Sequence, residues 1–239
     1  MPETIEDFLL TRPPTAELPL LGQTVLVVED SRFACEALRL ICQRSGARIR
    51  RADTLRAANR HLRTYRPSVA LIDLGLPDGS GLDLIATLSR AEPRVSVILA
   101  MSGDDDLADE AMVAGADAFI SKPITSVGAF QSAILAQLPE DARPPGLRVV
   151  TTEEVLPDRI ALRDDLSHAA DLLAEAPDAM TLAYVATFLT GLAKSADDEG
   201  LADAARELSA LSATHRVTPP VIAGLTALLH QRMATEGAV

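Results

Sequence analysis

A small set of polar residues stands where apolar runs end, and their types suit phosphate chemistry. Glu29-Asp30 follows the run ending at Val28, Asp73 follows Val69–Ile72, Ser102-Gly103 follows the run ending near Ala100, and Lys122-Pro123 follows Ala118–Ser121. Each has an ordinary explanation alone. Glu29 or Asp30 could cap the next helix, Lys122 could pair with a surface acid, and Pro123 could open a helix. As a set they imply more. Three carboxylates drawn together repel one another, and a divalent cation relieves that cost. Mg²⁺ suits the position because it takes hard oxygen ligands and retains waters. Asp73 could then attack a phosphoryl donor and form an acyl phosphate. The metal and Lys122 would spread charge on the transferred oxygens, Ser102 could hydrogen-bond one of them, and Gly103 leaves room for close backbone approach.

Elements must bring these residues together. Apolar runs at Thr24–Val28, Arg48–Arg51, Val69–Ile72, Val95–Ala100 and Ala118–Ser121 alternate with helical patterns at Arg32–Ser45, Leu55–Tyr65, Leu82–Ala91, Asp104–Ala114 and Val127–Leu138. Several runs are continuous rather than alternating, as expected of parallel strands covered on both faces. Five βα units predict a doubly wound parallel α/β sheet, whose ligands bind beyond the carboxyl ends of the strands. The convergence is expected to need the first, third and fifth strands as neighbours.

Composition excludes some functions. The chain has 239 residues, room for one large domain or two modest ones. Aromatic residues are 3% with no Trp, too few for a base-stacking platform. A formal net charge of −12 opposes the DNA phosphate backbone, and no basic cluster appears. No nucleic acid or membrane partner is therefore expected. Cys35 and Cys42 read as buried thiols of a reducing compartment. With no signal pattern or bilayer-spanning run, a cytoplasmic location is expected.

Residues 1–22 read as a leader. Thr4–Leu10 could form a short amphipathic helix, and Pro13, Pro14 and Pro19 force an extended path. Either it is a flexible tail, or Ile5, Phe8 and Leu9 dock elsewhere. Residues 23–138 hold the α/β pattern. Residues 139–157, with Pro144-Pro145-Gly146, read as a linker whose apolar patch Leu147–Val150 is expected to pack locally. Residues 158–239 read as all helix. The apolar stripes are Leu162, Leu166, Ala169, Leu173; then Leu182, Val185, Leu189, Leu192; then Leu201, Ala205, Leu208, Leu211; then Val221, Leu225, Leu228, Arg232, thickened by Leu229. Thr218 followed by Pro219 reads as a helix start, and a four-helix bundle is the natural packing.

The segments VLVVEDS (Val25–Ser31), LIDLGLPDGSGL (Leu71–Leu82), ILAMSG (Ile98–Gly103) and GADAFISKP (Gly115–Pro123) resemble receiver domains of bacterial two-component systems. The resemblance covers about half the chain. It implies a flavodoxin-like (βα)5 fold with Asp73 as phosphoacceptor. It implies Mg²⁺ bound directly by Asp30, Asp73 and the Gly75 carbonyl, with Glu29 acting through water. Ser102 and Phe119 would form the switch pair, although Phe119 stands where the family often has Tyr. The implied phosphoryl source is a histidine kinase or histidine phosphotransfer protein. The chain would not be an enzyme on other substrates, only a phosphoacceptor with Mg²⁺-dependent self-phosphorylation and self-dephosphorylation.

The helical half holds about two acidic residues per basic one and no recognition helix, which favours protein contacts over DNA. Its ATFLTGLA (Ala186–Ala193) and GLADAAREL (Gly200–Leu208) are similar to the core of histidine phosphotransfer domains in a degenerate form that lacks the histidine, with Thr187 at the histidine position and Thr190 at the lysine position. Three outputs follow. The first is a switch that changes contacts with an unidentified downstream protein or a second copy. The second is a phosphorelay using His168, the only candidate donor; His61 reads as a surface residue, and His215 and His230 as surface or helix-end residues. The third is transcriptional control.

Overall fold

The computed structural model describes residues 13–236, so the expected helix at Thr4–Leu10 lies outside the described residues. Two compact units divide the chain. One comprises the chain up to Asp30 together with Ala37–Leu156, the other Ser31–Glu36 together with the chain from Pro157 on.

The first unit holds five parallel strands: β1 (Thr24–Val28), β2 (Arg48–Ala52), β3 (Val69–Asp73), β6 (Val97–Ser102) and β7 (Ala118–Ser121). A two-stranded antiparallel hairpin, β4 (Gly75–Leu76) and β5 (Gly79–Ser80), intervenes after β3. The sheet order is β2-β1-β3-β6-β7. The first and third strands are therefore neighbours, but β6 separates β3 from β7. This corrects the expected adjacency of first, third and fifth strands.

Residues of β1, β3 and β6 are buried on both faces of the sheet, which explains the continuous apolar runs. Leu26, Val28, Ala70, Ile72, Ile98 and Ala100 point to one face by the two-residue period of a strand. There they meet Ala57 and Ala58 of α2 (Leu55–Thr64), Leu84, Ile85 and Leu88 of α3 (Gly81–Ser89), and Ala111 of α4 (Ala108–Ala114). Helix α1 (Arg32–Ser45) is tied to α5 (Val127–Gln137) by Gln131 Nε2 donating to Ser45 Oγ at 3.1 Å. Local chemistry sets the helix starts. The Thr54 hydroxyl accepts from the Ala57 N–H, Ser80 from Leu82 and Ser126 from Ala129. Helix α4 begins later than expected, because Asp104 instead caps a short 3-10 turn, Asp105–Leu107.

The described end of the supposed leader and the linker are both anchored in this unit. Leu20 is fully buried, and its N–H donates to the Ser45 carbonyl at 2.9 Å. Val155 is buried, its N–H bonded to the Thr125 carbonyl, while the Val127 N–H bonds Glu153. The patch Leu147–Val150 does not pack as expected. Leu147 and Val149 face solvent, and it is Arg148 between them that grips Gln131 Oε1 at 2.6 Å. Charge-assisted hydrogen bonding fixes this strip, not apolar burial.

The second unit carries α6 (Arg159–Ala174), α7 (Ala179–Ala196), α8 (Glu199–Ala213) and α9 (Pro219–Glu236). Asp158, Asp178 and Asp198 cap α6, α7 and α8 with their carboxylates. The expected stripes of α6 and α7 are wholly buried. In α9 the seam is shifted. Leu225 and Leu229 are buried while Val221 and Leu228 are half-buried, because four-residue spacing keeps that pair on one face. Arg232 instead grips Asp198 through Nε (2.6 Å) and a terminal nitrogen (3.1 Å). No described helix is long and apolar enough to cross a membrane.

Candidate functional site

The polar residues gather beyond the carboxyl ends of the strands. Glu29 and Asp30 leave β1, whose Val28 lies opposite Ile72 of β3, so the next residue of β3, Asp73, emerges beside them. Asp73 in turn lies opposite Met101, which puts Ser102 at the end of the adjoining strand. One carboxylate oxygen from each of Glu29, Asp30 and Asp73 falls within 4.8 Å of the others.

Lys122 joins them from beyond β7. Its Nζ lies 2.6 Å from Glu29 Oε2 and 2.9 Å from Asp73 Oδ2. The four-carbon stem of lysine spans the intervening β6, so adjacency of β3 and β7 is unnecessary. Its backbone also assists, the Lys122 N–H donating to the Ser102 carbonyl at 2.8 Å. Glu29 (1% exposed), Asp73 (6%) and Lys122 (8%) are all buried; Asp30 is half-buried.

Burial dominates the electrostatics of Glu29 and pushes its carboxyl well above the usual range; Lys122 opposes this, and Asp73 and Asp30 add to it. Burial alone would favour a neutral Lys122. The attraction of Asp73 and Glu29, with hydrogen bonds to both, outweighs it and raises the amine, which therefore stays protonated. Asp30 and Asp73 against one ammonium already leave an excess of negative charge, and an ionised Glu29 would add to it. That excess and the all-oxygen donor set fit a divalent cation.

Asp73 is positioned by a feature not read from the sequence. The hairpin β4-β5 carries Gly75 and returns the chain to Gly81, where a Cβ would overlap the Asp73 carbonyl oxygen. Asp78 at its tip fastens the hairpin to α2, accepting from the Leu55 and Arg56 N–H groups at 2.7 and 3.0 Å. The Pro77-Asp78-Gly79 turn signal was the available clue.

Ser102 is buried, and its Oγ accepts from the Asp104 N–H at 3.0 Å. Phe119 is half-buried on β7 opposite Ala100 and packs against the sheet core. Cys35 and Cys42 are free and buried, burial pushing the Cys42 thiol up to about 12. His61 is half-buried, not superficial as expected, because its ring stacks edge-on with Tyr65 and shares a 3.2 Å hydrogen bond with its hydroxyl. His168 is exposed on α6, its ring edge-on to Phe188; His215 and His230 are exposed. Thr187 is exposed and Thr190 half-buried, each hydroxyl donating to a carbonyl one turn earlier in α7.

Residues 25–133 match the response regulator receiver domain family. The chain is 32% identical over 114 residues to the KDP operon transcriptional regulatory protein KdpE of Escherichia coli, covering 48% of this chain and 50% of the relative. It is 36% identical over 101 residues to the virulence transcriptional regulatory protein PhoP of Salmonella typhimurium, covering 41% and 45%. The chain thus spans about half the length of these curated relatives. A solved receiver domain from Methylobacillus flagellatus is 28% identical, covers 48% of this chain and 97% of its own, and has a TM-score of 0.44. Residues 25–133, the stretch that builds the buried acidic cluster, are a response regulator receiver domain.

Proposed function

We propose that the chain is a phosphorylation-activated response regulator in which Asp73 accepts a phosphoryl group, with Mg²⁺ held by Asp30, Asp73 and the Gly75 carbonyl. Its donor is the phosphohistidine of a kinase or phosphotransfer protein. The observation that carries this is the buried bridge of Lys122 between Asp73 and Glu29, with Asp30 completing the carboxylate cluster.

In the reaction an Asp73 oxygen attacks phosphorus, a P–O bond forms, the donor P–N bond breaks, and its electron pair returns to the imidazole, which takes up a proton. Magnesium, when bound, supplies neutralising charge for the transferred oxygens. Lys122 can turn from Asp73 to a phosphoryl oxygen without leaving the pocket, since its ammonium is already there and protonated. Ser102 would donate its hydroxyl proton to a phosphoryl oxygen while its Oγ can still accept from the Asp104 N–H, and Phe119 would turn inward behind it. The result shifts the population between two conformations and so alters the protein contacts of the helices from Pro157 on. On this reading the chain catalyses only its own phosphorylation and dephosphorylation, in the cytoplasm.

Acetyl phosphate with Mg²⁺ should label the native chain, and chelation of Mg²⁺ or Asp73→Asn should abolish the label. Undiminished labelling of that variant would remove the assignment.

KdpE and PhoP are transcriptional regulatory proteins by name, which favours a second reading, transcriptional output. The acidic balance of residues 158–239 opposes it. Salt-dependent binding of the phosphorylated chain to duplex DNA would decide for it. A relay through His168 would require an acid-labile, base-stable phosphate on that residue.

A further inference from the structure

Asp165 is a carboxylate only 2% exposed, in the middle of α6. Its Oδ2 accepts from the Ser31 hydroxyl at 2.7 Å and the Phe33 N–H at 3.0 Å, and its Oδ1 from the Arg32 N–H at 2.9 Å. Ser31 Oγ in turn accepts from the Ala34 N–H at 3.0 Å. Around this knot, Arg32 pairs with Asp164 at 2.6 Å, and Phe33 joins the apolar core of Leu162, Leu166 and Ala169. The first turn of α1 thus takes its cap from a residue more than 130 positions away, and its donors offset the cost of burying the carboxylate. Burial nonetheless pushes the Asp165 carboxyl up, against the pull of the Phe33, Ser31 and Arg32 donors.

The residue covalently preceding this knot is Asp30. We propose that Asp165 is a positioning residue for the acidic cluster: by fixing Ser31, Arg32 and Phe33 it restrains the backbone leaving Asp30. It thereby sets the cluster's affinity for a divalent cation. The inference rests on the reading of Asp30 as a cation ligand. Coupling of this kind is reciprocal. Whatever Asp165 adds to cation affinity, the cation returns as a firmer hold on residues 31–36.

The test uses the full chain and Mg²⁺ itself, by titration calorimetry and by amide exchange of a peptide covering residues 31–36. Asp165→Asn replaces one accepting oxygen by a donor and should weaken Mg²⁺ binding about fivefold or more. Ser31→Ala should act in the same direction but less, and the double variant should be no worse than Asp165→Asn alone, because both break one network. In the native chain Mg²⁺ should slow exchange at 31–36; in Asp165→Asn it should not.

Native Mg²⁺ affinity in Asp165→Asn, even with a less stable helical unit, would reduce Asp165 to a structural cap and overturn the proposal. So would exchange at 31–36 indifferent to Mg²⁺ in the native chain. If Asp165→Asn does not fold, Ser31→Ala decides alone, and unchanged affinity there overturns it. Asp30→Asn separates the two readings. If that variant binds Mg²⁺ like the native chain, the cation-ligand reading itself falls. If it loses binding while Asp165→Asn does not, only the role of Asp165 falls.

Discussion

Lys122 holds two buried carboxylates at once, at 2.6 and 2.9 Å. Removing it would take away the ammonium that bridges the buried Asp73 and Glu29. Breaking a buried pair from one side is costly because a desolvated charge is left behind. Lys122→Ala should therefore destabilise the first unit by about 3–5 kcal/mol, measured by urea unfolding. Lys122→Arg should recover part of that loss, since charge is kept while shape is not. A native-like unfolding midpoint for Lys122→Ala would mean that the cluster is wetter than the structure describes. The acids, the hydroxyl and the amine were all legible as residues at strand ends. Asp165 was not, because its partners lie far away in sequence and a lone Asp in an amphipathic helix carries no signal of a distant cap.

At the scale of elements, the strands were legible because a parallel strand buried on both faces must be apolar throughout. The hairpin β4-β5 was not, since two-residue strands leave no periodicity to read. Yet it aims Asp73, and Gly81 at its end abuts the Asp73 carbonyl. Gly81→Ala should cost about 1–3 kcal/mol by overpacking and lower phosphoryl acceptance with it, read by urea unfolding and acetyl phosphate labelling. A stable variant that labels normally would show that the backbone there can give way. In the helical unit, the side-chain hydrogen bond from Arg232 of α9 is the main cause holding the Asp198 carboxyl below its usual value, burial opposing it. A carboxylate depressed in the folded state stabilises above its unfolded pKa of about 3.9, and the benefit disappears as pH falls through the folded value. The urea midpoint of the native chain should therefore exceed that of Asp198→Asn at pH 6, and the gap should close toward pH 3. A gap independent of pH would assign the effect to capping of α8 alone.

The whole molecule divides between Leu156 and Pro157, with Ser31–Glu36, which the sequence pattern put among the strands and helices of the first unit, grouped with the second. Composition shifts at Pro139 and Pro157 indicated a leader, a linker and two domains. The structure instead buries Leu20 and Val155 with the sheet unit and groups Ser31–Glu36 with the helices. A proline-rich stretch signals irregular backbone but not whether that backbone is anchored, and here isolated hydrogen bonds and single buried side chains anchor it. Phe33 makes the same point: on helical periodicity it belongs to α1, yet it completes the core of the helical unit.

In the proposed reaction a single aspartate, Asp73, carries the phosphoryl group. An acyl phosphate is reduced by borohydride to an alcohol, converting the modified aspartate to homoserine, which mass spectrometry can locate. After treatment with acetyl phosphate and Mg²⁺, that conversion should appear at position 73. Conversion confined to another acid, such as position 30 or 165, would contradict it.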